Sequence, residues 1–317
     1  MTDYMKAFKQ AQYQSVADRV AKYYTETDKS INIPLINAGI PDAYEYRYTN
    51  FLDGDASYGG LEWSAKGKKA SMVHSYTDID LFTQQMNLSF SKNDITKFGS
   101  QLIADKRDAL IAKWAQDVDD ACFHGPKSAS GTQIAEGLIG QLTSLQNQSS
   151  GADADCSGKG EIWLWIQEML DDIPFAMREE GPDMLLFINE KTYSEARKPD
   201  RIYQDKIEWD FIHETFIGPK AVHGRKIGKV IITNKINAEA ADNTDGDNAD
   251  TVDTLGTHGR MLLLVPDPRW VGRIVSRGFS LVGEESGVLG TDQVWGWKGR
   301  SYFFNADCAN YTEALTF

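Results

Sequence analysis

The chain has 317 residues and a formal net charge of −13, from 33 basic and 46 acidic side chains. Its 41% hydrophobic and 25% charged content is ordinary for a globular protein and excludes a fully disordered chain. An acidic chain repels nucleic acid overall, which argues against a basic groove that grips DNA. No apolar run reaches membrane-spanning length and no secretory signal is visible, so we expect a soluble protein made in the cytosol.

The three cysteines carry little information about chemistry. Cys122, Cys156 and Cys308 are an odd number without a close pair. Neither a disulfide framework nor a zinc knuckle follows from this spacing, and a reducing compartment fits best.

The first ninety residues lack the pattern of a compact unit. Residues 3–23 have loosely helical apolar spacing, whereas residues 25–60 hold prolines and glycines without a helical period. From Leu61 to Ser91, the turn at Gly67–Lys69 and the alternation from Met86 to Phe90 predict a long hairpin with polar faces. Such an arm and hairpin bury little by themselves, so we expect both to lie on another surface.

The strongest pattern is a single long helix. It follows Asn93, a suitable N-cap, and stops at His124-Gly125-Pro126. Apolar residues recur along it at steps of three, four or eight: Ile95, Phe98, Leu102, Leu110, Trp114, Val118 and Cys122. The Gly-, Ser- and Gln-rich residues 125–160 beyond it are predicted to form a surface linker, interrupted by the apolar patch Leu138-Ile139 and Leu142.

The remainder of the chain predicts an α/β unit and a terminal hairpin, giving an α+β fold overall. A helix from Glu161 to Glu180 is interrupted or restarted at Pro174. Short apolar runs predict three buried strands, with an exposed acidic loop before the last of them. A terminal hairpin follows and is expected to pair with an earlier element. In chain order these are residues 185–188, 230–232, the loop 238–253, residues 261–265, and hairpin strands 270–282 and 294–304.

No catalytic site, cofactor site or metal site can be nominated. The chain lacks a G-x-S-x-G elbow, a Walker loop, a G-x-G-x-x-G turn after an apolar strand and an H-E-x-x-H pair, and its five histidines share no ligand spacing. In the acidic loop, placing Gly246 at the turn position of an EF-hand puts Ala241 at the first ligand position, so that template fails.

Trp63 precedes the lysine-rich turn of the predicted hairpin, which is too thin to bury an indole. Two interpretations stay open with equal weight: packing against the hairpin's own base, or insertion into another subunit, where tryptophan is enriched.

The order of elements resembles that of the major capsid protein of tailed double-stranded DNA viruses, whose HK-type phage capsid fold is shared with encapsulin shells. Local segments add to the likeness: Asn87–Asp94, Asp117–Gly125 followed by Gly137-Leu138, Met184–Asn189 and Gly224–Val230. The resemblance implies an N-terminal arm (1–45), an extended loop or E-loop (46–91), a peripheral domain with a spine helix (92–159), an axial domain (160–265) and a return to the peripheral domain (266–317).

The resemblance also implies a function. It predicts a non-enzymatic subunit, without cofactor or membrane contact, that self-assembles into an icosahedral virion shell of hexamers and pentamers in the host cytoplasm. The shell would enclose double-stranded DNA without specific binding. Other partners compatible with the resemblance are a separate scaffold or a decoration protein, and assembly is expected to use a separate scaffold or none. We expect no long cleaved scaffolding domain before the arm.

Contacts between subunits are implied for the E-loop residues Trp63, Lys66, Lys68 and Lys69. Some relatives crosslink an E-loop lysine to a peripheral-domain asparagine, and Asn305 and Asn310 occupy the matching segment here, although solvated lysines at a loop tip are the favoured interpretation. Two alternatives remain: an encapsulin-type compartment holding enzyme cargo, and an α/β enzyme with a site in loops such as 189–226 or 238–258.

Overall fold

A computed structural model describes residues 32–52, 73–128, 132–144, 154–237, 258–286 and 290–317. The predicted helix at 3–23 and the acidic loop at 238–253 lie outside the described residues. The helices in chain order are α1 (Lys92–Phe123), α2 (Leu138–Ser144), α3 (Glu161–Asp172), α4 (Phe175–Glu180), α5 (Glu190–Ala196) and α6 (Glu208–Ile212). A π-helical turn (His213–Ile217) follows α6, and 3₁₀ turns occupy Asn234–Ile236 and Ala306–Cys308.

The strands form two principal sheets and two ribbons. They are β1 (Leu35–Asn37), β2 (Glu45–Leu52), β3 (Val73–Asp80), β4 (Phe82–Ser91), β5 (Ala154–Asp155), β6 (Met184–Ile188), β7 (Ile202–Tyr203), β8 (Lys206–Ile207), β9 (Ile227–Ile232), β10 (Gly259–Leu264), β11 (Val271–Ser286), β12 (Gly290–Phe303) and β13 (Ala309–Thr316). A four-stranded sheet has the order β1-β11-β12-β4, and a five-stranded sheet has the order β5-β13-β10-β6-β9. The pairs β2-β3 and β7-β8 stand as two-stranded ribbons.

The long helix is confirmed. Helix α1 covers 32 residues and begins at Lys92, one residue before the predicted N-cap. Ile111, Trp114 and Val118 on its apolar side are buried against the four-stranded sheet. The Trp114 ring stacks on Phe279 with centroids 4.5 Å apart, which fixes the helix on strand β11.

Two glycines explain the segment that follows α1. Gly125 has φ of +103°, in the region that favours glycine, and its backbone lies against Gly137. A Cβ on Gly137 would come within 2.3 Å of the Gly125 nitrogen, so a side chain here needs the backbone to move. Directly afterwards, Leu138, Ile139 and Leu142 are buried in α2. The apolar patch predicted to interrupt the surface linker is therefore a core helix.

The five-stranded sheet confirms the predicted buried strands. Strands β6 and β10 are buried along their whole length and run antiparallel, with Ile188 opposite Met261. Strand β9 pairs parallel with β6 and, as an edge strand, stays partly exposed. Helix α3 covers this sheet with Ile162, Ile166, Met169 and Leu170, and Pro174 separates it from α4 as predicted.

The predicted terminal hairpin is confirmed, and it extends further than expected. Strands β11 and β12 pair antiparallel, and β12 pairs in turn with β4 along Phe82–Ser91. The last strand, β13, instead joins β10 in the five-stranded sheet. Residues 266–317, which the resemblance assigned wholly to the peripheral return, are thus divided between the two sheets, because the 3₁₀ turn at Ala306–Cys308 redirects the chain.

The predicted hairpin from Leu61 to Ser91 needs correction. The alternating segment Met86–Phe90 belongs to β4, whose apolar residues Leu88 and Phe90 are buried beneath α1. The ribbon that stands apart from both sheets is formed by β2 and β3. Alternation alone does not reveal which neighbour a strand pairs with, so the segment was placed in the wrong sheet.

Candidate subunit-contact surfaces

The base of the β2-β3 ribbon is anchored on the four-stranded sheet. Ile79 and Leu81 are buried together with Ile274 of β11. The Tyr48 ring stacks on Phe304 at a centroid distance of 4.2 Å. These contacts fix where the ribbon leaves the body of the subunit.

Tyr48 also reaches the connection between the two sheets. Its Oη donates to the Arg269 carbonyl at 2.9 Å, and burial raises the pKa of the Tyr48 phenol. In the same connection, the Asp267 carboxylate accepts two side-chain hydrogen bonds from Arg269, at 3.0 and 2.8 Å. The ribbon base, the four-stranded sheet and the five-stranded sheet therefore meet at residues 267–269.

Polar residues cover the solvent-facing side of the ribbon base. Arg47 and Asp78 form a bidentate pair with N–O distances of 2.7 and 3.0 Å. Thr77, Asp78 and Asp80 are exposed on β3. An isolated two-stranded ribbon is marginally stable in water.

The sequence-predicted contact residues Trp63, Lys66, Lys68 and Lys69 fall between β2 and β3 and lie outside the described residues. Their role stays a prediction. Of the two asparagines in the returning segment, Asn305 accepts a hydrogen bond from the Asp307 amide, and the buried Asn310 donates to Asp172 at 2.9 Å.

The end of the predicted arm lies on its own subunit. Ile33 is buried in the main core, and β1 pairs parallel with β11. The Arg273 amide donates to the Pro34 carbonyl at 2.8 Å. Leu35, by contrast, is 64% exposed on this edge strand. Residues 1–31 lie outside the described residues.

A rigid loop joins β1 to β2 and exposes two apolar side chains. Asp42, with φ of +58°, binds Arg277 at 2.8 Å and accepts a hydrogen bond from the buried Lys298 through its carbonyl at 3.0 Å. The Lys298 ammonium lies 3.7 Å from the centroid of the Tyr44 ring. Ile40 and Tyr44 are nonetheless 67% and 82% exposed, so the loop presents apolar area in a fixed conformation.

The buried ion pair of Glu208 and Arg201 in the five-stranded unit has structural partners. Glu208 accepts the backbone N–H groups of Ile162 and Trp163 at 2.8 and 3.2 Å, which caps the N-terminus of α3. Its other oxygen binds Arg201 at 2.9 Å, and Arg201 donates to the Cys156 carbonyl at 2.7 Å. This pair satisfies a helix end and a loop, so it needs no substrate to explain it.

The described residues contain no group of three or more histidine, cysteine or carboxylate side chains that could hold a metal ion. All three cysteines are buried as free thiols, and burial raises the pKa of Cys308, which opposes formation of a thiolate nucleophile. Among the described helices, none is long and apolar enough to cross a membrane.

The topology is the HK-type phage capsid fold, which confirms the resemblance at the level of fold. The capsid of Myoviridae Phage XM1 is similar with a TM-score of 0.59 and 12% identity, covering 89% of this chain and 90% of that chain. A virus-like particle from Pyrococcus furiosus has a TM-score of 0.53 and 11% identity, covering 96% and 98%. The satellite phage P4 procapsid, solved with its size determination protein, has a TM-score of 0.52 and 9% identity, covering 98% and 100%.

These likenesses concern the fold, because the identities lie near 10%. No protein-family model matches the chain, and no curated protein matches it in sequence.

Proposed function

We propose that the chain is a structural major capsid protein that self-assembles into an icosahedral shell of hexamers and pentamers around a double-stranded DNA genome. The observation that carries this proposal is the β2-β3 ribbon. It is anchored at its base by Tyr48 and Ile79, yet it forms a sheet of its own. Such a ribbon gains burial by lying on a neighbouring subunit, as interlocked obligate assemblies do.

Similarity to solved capsids over most of the chain supports the same proposal. The role is structural and not enzymatic, since the buried charges found in the five-stranded unit serve helix capping and loop closure. The domain bounds 1–45, 46–91, 92–159, 160–265 and 266–317 belong to the proposal, with β13 assigned to the axial sheet. The negative charge of −13 suits a container wall that leaves packed DNA mobile.

The direct experiment is to express the full chain, separate it on a density gradient and image the fractions by electron microscopy. We expect closed particles of megadalton mass. Particles isolated from the producing cells should contain DNA. A chain that stays a small monomer at high concentration would contradict the proposal, and particles filled with protein and free of DNA would favour an encapsulin-type compartment.

A further inference from the structure

We propose that residues 38–44 form a strap that crosses the four-stranded sheet and sets the direction of the β2-β3 ribbon, with the buried Lys298 as the positioning residue. This inference rests on the proposed shell function and deepens it, because it names the contacts within one chain that aim the ribbon. The strap is the loop between β1 and β2.

The two ends of the strap lie at opposite edges of the sheet. The strand order is β1-β11-β12-β4, and the strap leaves the sheet from β1. It ends at Tyr44, whose carbonyl accepts the Leu81 amide at 2.8 Å directly before β4 begins. The strand register places one residue of each strand in a single row across the sheet: Asn37, Val275, Gly299 and Phe82. The strap therefore passes over three interstrand spacings, about 14 Å.

Two basic side chains from the central strands hold the strap at Asp42. Arg277 of β11 and Lys298 of β12 lie opposite each other in the sheet. Lys298 donates to the Asp42 carbonyl at 3.0 Å, and Arg277 binds the Asp42 carboxylate at 2.8 Å. One residue of the strap is therefore fixed through its backbone and through its side chain, from two different strands.

The charge of Lys298 is buried beneath the strap. The residue is 4% exposed, and its ammonium lies 3.7 Å from the centroid of the Tyr44 ring. A carbonyl and an aromatic ring compensate this charge, and both belong to the strap. Because a buried charge that loses its partners is costly, the strap is held on the sheet.

The backbone of the strap has a defined path. Gly39 has φ of +77°, and its amide donates to the Asn37 side chain at 2.9 Å. Asp42 has φ of +58°, a conformation that a non-glycine residue keeps only where its surroundings hold it. Strand β2 begins at Glu45, directly after the strap. A fixed strap therefore fixes the start of the first strand of the ribbon.

The test measures the ribbon direction in the unassembled full-length subunit by pulsed electron paramagnetic resonance. Nitroxide labels are attached at Ser75→Cys on β3, beyond the apolar base of the ribbon, and at Gln116→Cys, an exposed position of α1, while the three native cysteines are buried. The chain with these labels alone should give one narrow distance. Lys298→Met should lose this narrow distance and give a broad distribution. Asp42→Gly, which tolerates the left-handed backbone and keeps the carbonyl that Lys298 binds, should give an intermediate width.

The control is Lys206→Met, the same substitution at a surface lysine of β8, which should keep the narrow distance. Circular dichroism shows which variants are folded. A narrow distance that persists in Lys298→Met, or in Asp42→Gly where Lys298→Met does not fold, would overturn this inference, because the apolar base alone would then aim the ribbon. Equal broadening in the control would overturn it as well. Imaging of wild-type particles tests the proposed function separately, since a chain that forms no shells but shows the strap effect would overturn only that function.

Discussion

The side-chain amide of Asn189 donates to the side-chain oxygen of Asn237 at 2.9 Å, and both residues are buried. The same nitrogen donates to the His258 carbonyl at 2.8 Å. Asn237 and His258 flank residues 238–257, so one side chain holds both ends of that segment together. The Asn189 oxygen also accepts hydrogen bonds from Thr192 and from the Arg260 amide.

Replacing Asn189 should therefore lower the free energy of unfolding far more than shortening the segment between Asn237 and His258. We expect Asn189→Ala to lower the free energy of unfolding by about 2–4 kcal/mol, because several buried groups lose their partner. A short Gly-Ser linker in place of residues 238–257 should change it by about 1 kcal/mol or less. Urea unfolding of the unassembled subunit measures both values, and a linker variant as unstable as Asn189→Ala would contradict this role.

The buried ion pair of Glu208 and Arg201 should contribute far more to the free energy of unfolding than an ion pair on the surface. Glu208→Ala leaves Arg201 and the N-terminus of α3 without their buried acceptor, which should cost about 3–5 kcal/mol. The matched control is Glu214→Ala, since Glu214 binds Lys206 and Lys220 on the surface, where solvent screens the pairs, so its loss should change the free energy of unfolding little. Equal losses in urea unfolding would show that the pair does not support α3.

The close contact between the backbones of Gly125 and Gly137 predicts that a side chain at position 137 destabilises the subunit. Gly137→Ala places a methyl group against backbone atoms and should destabilise the subunit by about 2 kcal/mol or more. Gly278 serves as the control because a Cβ there meets no atom within 4 Å. The midpoint of thermal unfolding should fall clearly for Gly137→Ala and change little for Gly278→Ala; equal midpoints would refute the clash.

These examples show how far the sequence could be interpreted alone. Periodicity located α1 and the α3–Pro174–α4 break, because a helix and its interruption are local. The pairing of β4 and β13 could not be predicted because strand partners lie far apart in the chain. Leu88 of β4 pairs with Gln293, about two hundred positions away, and Thr312 of β13 pairs with Met261, about fifty positions away. The buried partners of Asn189 and Glu208 left no signal, since single polar residues at irregular spacing match no motif.

Acid should weaken the connection between the two sheets. Hydrogen bonds from the Arg269 side chain hold the pKa of Asp267 below its usual value. A lowered pKa in the folded state adds stability above the unfolded pKa of about 3.9, and this stability is lost as the pH falls through the folded value. Asp267→Asn should therefore be less stable than wild type at pH 7, and the difference should shrink below about pH 4.

The control for this titration is Asp78→Asn: a hydrogen bond from Arg47 also lowers the pKa of the Asp78 carboxyl, but this group lies in solvent. Because solvent screens that pair, its pH-dependent difference should be the smaller one. Urea unfolding at pH steps from 7 to 3 measures both. A difference for Asp267→Asn that grows on acidification would contradict the assigned sign.

The central claim is that the ribbon acts between copies of the chain, and its register allows a direct measurement. Leu52 and Val73 lie opposite each other at the end of β2 and β3, so an Asn-Gly turn can replace residues 53–72 without disturbing the pair. Thermal unfolding of the shortened subunit should give the same midpoint as wild type, which shows that it folds. Sedimentation velocity beside wild type should show that the shortened chain no longer forms closed particles. Closed particles of wild-type size from the shortened chain would contradict the claim.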